Sequence, residues 1–291
     1  MRHLVLIALM ILSAVVLSDS AKASAAQKQS KARRSSAAAV KNKSEQTREL
    51  IKAAANGDID KLIETLNKGV NINAGFARDD SELSGMTALM VASSRGYPNM
   101  VAELIKRGAN VNLKHYSGET ALMFAAAKGD AKIVKALVRA GANPNVKVVS
   151  FHAGEITPLS SAINSSSEQR VELVSILISG KAQINPEGKF LISPLMHAVG
   201  DLEIVKLLIA NGADVNQKNV RGITALMAAA IDGTAAVVRY LLEQGADVNA
   251  RDNDGTTALM CAEGRRAYFD AAEREEIIQV LKRALAEAKP R

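Results

Sequence analysis

Glu203-Ile204-Val205-Lys206-Leu207-Leu208-Ile209-Ala210-Asn211-Gly212-Ala213-Asp214-Val215-Asn216 sets a helical apolar stripe, a helix stop and a polar turn in one short stretch. Ile204, Val205, Leu207 and Leu208 recur at the spacing of one helix face. Gly212 supplies the conformational freedom with which a helix ends and releases the chain into a turn. The same pattern returns elsewhere: Ile133-Val134 and Leu137-Val138 precede Gly141, and Val237-Val238 and Leu241-Leu242 precede Gly245. With Gly69, Gly108 and Gly180 these glycines form a series, most of them followed by a small residue and then an Asn.

A second series keeps register with the first. Thr/Ser-x-Leu triplets open at Thr87, Thr120, Thr157, Ser193, Thr224 and Thr257, with spacings of 33, 37, 36, 31 and 33 residues. Each Thr or Ser can accept a hydrogen bond from an unpaired backbone N–H at a helix start. Two positions on stands Leu89, Leu122, Leu159, Leu195, Leu226 or Leu259, and five positions on Ala92, Ala125, Ala162, Ala198, Ala229 or Ala262. The Leu faces the neighbouring unit, and the Ala stands where a larger side chain would push stacked helices apart. Gly57, Gly96, Gly129 and Gly233 predict left-handed turns between the two helices of a unit.

Thr157-Pro158-Leu159, Ser193-Pro194-Leu195 and the stretch from Glu203 to Asn216 resemble the ankyrin repeat, over roughly residues 46–291. The resemblance implies an all-α repeat solenoid, an array of helix-turn-helix units with β-hairpin-like tips, and a non-catalytic protein-binding role through tips and concave face. About seven units are predicted, two of them caps, because terminal units must face water. The sequence departs from the family where it commonly has His: Met90, Met123, Met196, Met227 and Met260 stand there, and Ser160. One Met per repeat at an interior helical position reads as core rather than as a copper site. The first helix after Ser193 is short, and Ser165-Ser166-Ser167 replaces the inter-helix Gly of the unit before it, so irregular stacking is predicted around residues 160–205.

Ahead of the array, Met1-Arg2-His3 and the apolar run Leu4 to Leu17 have the layout of a secretory signal peptide over residues 1–23, with cleavage near Ala23 or Ala25. An uncleaved N-terminal membrane anchor is the alternative, although the run is shorter than the roughly 20 residues that a spanning helix needs. Residues 24–45 read as a flexible basic linker rich in Ala, Ser and Lys. Of the formal charge of +7, that linker holds +5 and residues 46–291 only +1, so the basic balance describes a tail. Contact of the tail with an anionic envelope surface is one alternative function, and nucleic acid is not the expected partner. Cys261 is the single cysteine, which excludes an intramolecular disulfide framework.

The expected activity is binding of a protein partner outside the cytoplasm, in the periplasm or secreted, as adaptor, scaffold or inhibitor. A secreted bacterial effector that binds a host protein is the other alternative. Two connections, residues 74–85 and 146–156, exceed what a repeat requires, and long loops in a compact array are often functional. Phe76, His115, Tyr116, Phe151 and His152 cluster on these connections and on the tip between them, with Arg221 and Asn253 on later tips. These seven are the predicted partner contacts, since exposed aromatic and charged anchors yield most binding energy. His115, His152 and His197 lack metal-ligand spacing, and His197 falls in a helical core pattern. No catalytic residue, cofactor, metal or small-molecule substrate is expected, and the chain is expected to be a monomer.

Overall fold

A computed structural model of the chain describes residues 42–76, 83–150, 154–187, 192–264 and 271–288. The leader, the linker up to residue 41, Phe151 and His152 lie outside the described residues. Helix α1 covers residues 42–56, so residues 42–45 are helical rather than linker; the hydroxyl of Thr47 donates to the carbonyl of Lys43 within it.

Helices then follow in pairs: α2 (Ile59–Asn67) after α1, α3 (Ala88–Arg95) with α4 (Pro98–Lys106), and α5 (Ala121–Lys128) with α6 (Ala131–Arg139). Next come α7 (Pro158–Ile163) with α8 (Arg170–Ser179), α9 (Pro194–His197) with α10 (Leu202–Ala210), and α11 (Ala225–Asp232) with α12 (Ala235–Glu243). Helices α13 (Ala258–Glu263) and α14 (Ala271–Glu287) complete the order. Odd-numbered helices from α3 onward stack on one another as an inner layer, even-numbered helices from α4 as an outer layer, and each packs on its own partner. Among the described residues no helix is long and apolar enough to cross a membrane.

The repeated residues take the places that their chemistry requires. Ala92, Ala125, Ala162, Ala198, Ala229 and Ala262 are all buried, as are the repeated leucines up to Leu226. Met90, Met123, Met196 and Met227 are core, whereas Met260 is 52 % exposed, for among the described residues no further helix pair stacks on α13. Although Met replaces His, the helix caps persist through the backbone: Met90, Met227 and Met260 each donate their N–H to the hydroxyl of the Thr three residues earlier, at 3.3 Å. Ser160 goes further and forms a reciprocal box with Thr157, at 3.1 and 2.9 Å. Thr120 alone breaks the pattern among the described Thr caps, for its buried hydroxyl has no partner.

One glycine assignment is corrected, and one glycine of the helix-closing series departs from its fellows. Gly57, Gly96 and Gly129 are left-handed, but Gly233 is extended at φ −97° and ψ −165°. A Cβ on Gly233 would stand 2.7 Å from the Cα of Ala229, so close approach is what requires glycine there. Gly180 is likewise not left-handed; Lys181, at φ 70°, takes the place filled by Gly141 and Gly212 in neighbouring units. The marker is therefore displaced by one residue in the irregular unit, where α7 and α9 are also short.

Candidate protein-binding face

The tips are tied edge to edge by an asparagine ladder. The Oδ1 of Asn73, Asn112, Asn145, Asn185 and Asn216 accepts from the backbone N–H of Asn110, Asn143, Gln183, Asp214 and Asp247 respectively, at 2.7–2.9 Å. From Asn112 onward the same amides donate to the carbonyl that closes the next outer helix, as Asn112 does to Gly141 at 2.9 Å. One side chain thus satisfies two backbone groups of the next unit, which fixes the tips as a rigid row. Among the described residues one tip becomes a two-stranded hairpin, β1 (Val148–Ser150) with β2 (Gly154–Ile156), antiparallel with Val149 opposite Glu155. Elsewhere single bridges, Gly75 with Thr87 and Lys114 with Thr120, close the turns.

On this frame the predicted contacts separate. Tyr116 is 61 % exposed, with its ring 3.8 Å from that of His115. His115 is a bracket rather than a free contact: Nε2 lies 2.8 Å from the carbonyl of Ser84, and Nδ1 2.6 Å from the hydroxyl of Ser117. A carbonyl only accepts, so Nε2 carries the proton and Nδ1 faces Ser117. Phe76 was predicted as an exposed anchor and is instead core, only 9 % exposed, with the Arg48 guanidinium 5.7 Å from its ring centre. Its backbone pairs with Met86, which turns the ring inward against the first units. Arg221 is exposed, and its carbonyl accepts from the N–H of Asn253 at 3.0 Å. Asn253 also donates its amide to Val220, so it joins two tips before it offers anything to a partner.

The structure adds residues that composition did not mark. Val149 is 78 % exposed, and Ile192 and Val220 are also exposed, so with Tyr116 each of four tip segments presents one apolar side chain. Isolated aliphatic residues in loops look ordinary in sequence; their signal is the alternation at Val148-Val149, where Val148 meets Gly118 and Val149 points out.

Beside this row runs a recess floored by Ala127, Ser161, Asn164 and His197 and walled by Glu155 and Ile156 of β2. It continues past Leu159, Pro186 and Ile192. His197, predicted as core, is only partly buried and lines both parts. The one-turn helix α9 carries it toward Asn164 of the preceding unit, whose Nδ2 lies 3.2 Å from Nδ1 of His197. Burial holds this imidazole below its ordinary pKa, so near neutral pH the ring is uncharged and accepts from Asn164. Cys261 occupies the same repeat position two units on; burial, and then the charge of Asp252, push its thiol up, away from thiolate reactivity. The face is apolar at the tips and neutral and polar in the recess, a combination suited to holding a peptide segment.

The family model for ankyrin repeats matches the chain in three copies, over residues 50–148, 150–219 and 195–284. The ankyrin repeat domain of human ASB11 is similar at 26% sequence identity and a TM-score of 0.64, covering 83% of this chain and 98% of that one. The ankyrin repeat domain of Bcl-3, described as a unique member of the IkappaB protein family, is similar at 25% identity and a TM-score of 0.60, covering 80% and 97%. Ankyrin repeat domains generally mediate protein–protein interaction, and the fold is typically non-catalytic. With the stacked helix pairs, their Thr and Ala positions and the asparagine ladder in place from residue 50 to residue 284, the chain belongs to the ankyrin repeat family.

Proposed function

We propose that the protein is an exported ankyrin module that holds a segment of one partner protein across its tips and recess, as adaptor or inhibitor. The observation that carries this reading is the apolar row Tyr116, Val149, Ile192 and Val220 beside a neutral groove. Exposed apolar side chains set on a rigid frame lose little entropy on binding and exclude water around a polar centre. The basic, apolar start at residues 1–17 supports the export part of the reading, with the periplasm or the exterior as the place of action.

Photo-crosslinking residues placed at Tyr116 and Val149 in the native host should capture one defined protein, identified by mass spectrometry. The same crosslinker at Lys106 on the outer layer is the control. Equal yields from both faces, or capture from Lys106 alone, would remove the binding-face assignment. Fractionation tests export separately: recovery of the chain with its leader intact in the cytoplasm would contradict it.

A further inference from the structure

The near neutrality of the folded array conceals a segregation of charge. Residues 83–143 hold eight Lys and Arg against three Asp and Glu, a net +5, although residues 46–291 sum to +1. Helix α6 concentrates this excess. Lys132, Lys135 and Arg139 stand at i, i+3 and i+7 on it, all three exposed, and α6 is the one outer helix among the described residues without an acidic residue. On most other helices cations find partners: Lys61 with Glu64 at 3.0 Å, Arg107 with Glu103, Lys206 with Glu203 at 3.0 Å and Arg239 with Glu276 at 2.6 Å. No described residue forms a hydrogen bond or ion pair with the side chains of Lys132, Lys135 or Arg139.

Stability does not account for the stripe. Like charges three or four residues apart on a helix repel, and Lys132 in the first turn meets the positive end of the helix dipole; of the three only Arg139, in the last turn, is favoured by the dipole. Asp130 caps α6 through Oδ1 at the N–H of Ile133 and forms no ion pair with the three cations.

We infer that the α6 stripe docks the protein on an anionic phospholipid surface. The three cations project from the outer layer, away from tips and recess, so the partner face stays open while the chain is bound. The stripe spans about 10 Å along one helix and has no aromatic ring of its own. A track for nucleic acid would continue across neighbouring helices, and a site for an acidic peptide would need a groove. A sheet of headgroup charge needs only a local cationic ridge on a convex layer. This inference does not depend on the partner reading above.

Sedimentation of the full chain with vesicles of phosphatidylcholine, with and without phosphatidylglycerol, tests it. The wild-type chain should favour the anionic vesicles, with a preference that falls as salt rises. The triple variant Lys132→Gln, Lys135→Gln, Arg139→Gln should lose that preference roughly 100-fold, and each single variant about fivefold. Lys132→Arg with Lys135→Arg should retain it. The basic tail and apolar leader are the same in wild type and variants, so their contribution cancels. Helical content and the unfolding midpoint of each variant guard against misfolding, and the single variants decide if the triple one fails to fold. The inference is overturned if the triple variant keeps the preference, if wild type binds both vesicles equally, or if the stripe variants lose binding to duplex DNA but not to vesicles.

Discussion

The ring of Tyr116 lies over Gly85 of the preceding tip, so close that a Cβ there would stand 2.5 Å from Cδ1 of the tyrosine. Gly85 is itself left-handed at φ 77°. Glycine is thus required twice, once by the backbone and once by the neighbouring ring, and the exposed anchor of one unit is aimed by the turn of the unit before it.

Replacing Gly85 by Ala should therefore cost about 1–2 kcal/mol for the left-handed backbone alone, plus the displacement of Tyr116. Urea midpoints of Gly85→Ala, Tyr116→Ala and the double variant separate the two. The double variant should be less destabilised than the sum, because the clash is gone and the strain remains. Strict additivity would deny the contact. Tyr116→Ala should leave stability within about 0.5 kcal/mol while lowering partner capture.

The ladder predicts an asymmetry between equivalent asparagines. Asn112 accepts from Asn143 at 2.7 Å and donates to Gly141 at 2.9 Å, whereas Asn249 makes no such side-chain bond among the described residues. Asn112→Ala should cost about 1 kcal/mol or somewhat more, and Asn249→Ala less than about 0.5 kcal/mol. Equal losses in thermal or chemical unfolding would show that the amides act within their own turns.

Two threonines at the same repeat position should respond to Val in opposite directions. Thr224 caps α11 through Met227, so Thr224→Val should destabilise by about 1 kcal/mol. The hydroxyl of Thr120 is buried and unpartnered, so Thr120→Val should raise stability, by up to about 1 kcal/mol. Calorimetry on the two variants decides; a loss of stability in Thr120→Val would mean that its hydroxyl is satisfied in solution.

The Asn164 and His197 pair makes stability depend on pH. In the unfolded chain the imidazole titrates near 6.5, and in the fold burial holds it lower. Above 6.5 the ring is neutral in both states and its contribution is complete. As pH falls below that value the unfolded chain takes the proton first, so stability declines until the folded value is passed. His197→Gln, which can still accept from Asn164, should flatten this part of the profile. Superimposable slopes in urea midpoints for the two proteins between about pH 7 and 5 would exclude His197 as the source.

Much of the array was legible residue by residue. Thr224 caps, Leu226 and Ala229 pack, and Gly96 turns because each of these roles depends on a neighbour a few positions away, and short-range sterics and hydrogen bonding are written in local order. The series failed first where spacing was irregular. Gly180 has the residue type that the turn prefers, yet Lys181 occupies the left-handed position, because the stacking of α8 on α6 sets where the helix ends and residue preference yields to it. Phe76 misled for a related reason: an aromatic residue on a long loop carries no local sign of direction, and its pairing with Met86 turned it into the core.

The sequence by itself determined the repeat, its period, its caps and its small-residue contacts, since these follow from interactions within one unit repeated along the chain. Only the tertiary structure decided which exposed side chains share an edge and which cations stand together on one helix. Asn164 meets His197 across 33 residues, Tyr116 meets Gly85 across the tips, and Val149, Ile192 and Val220 share one edge because successive units stack side by side. Among the described residues no carboxylate pairs with Lys132, Lys135 or Arg139. Stacking converts positions one repeat apart into neighbours, and that distance is invisible to any reading confined to a few adjacent residues.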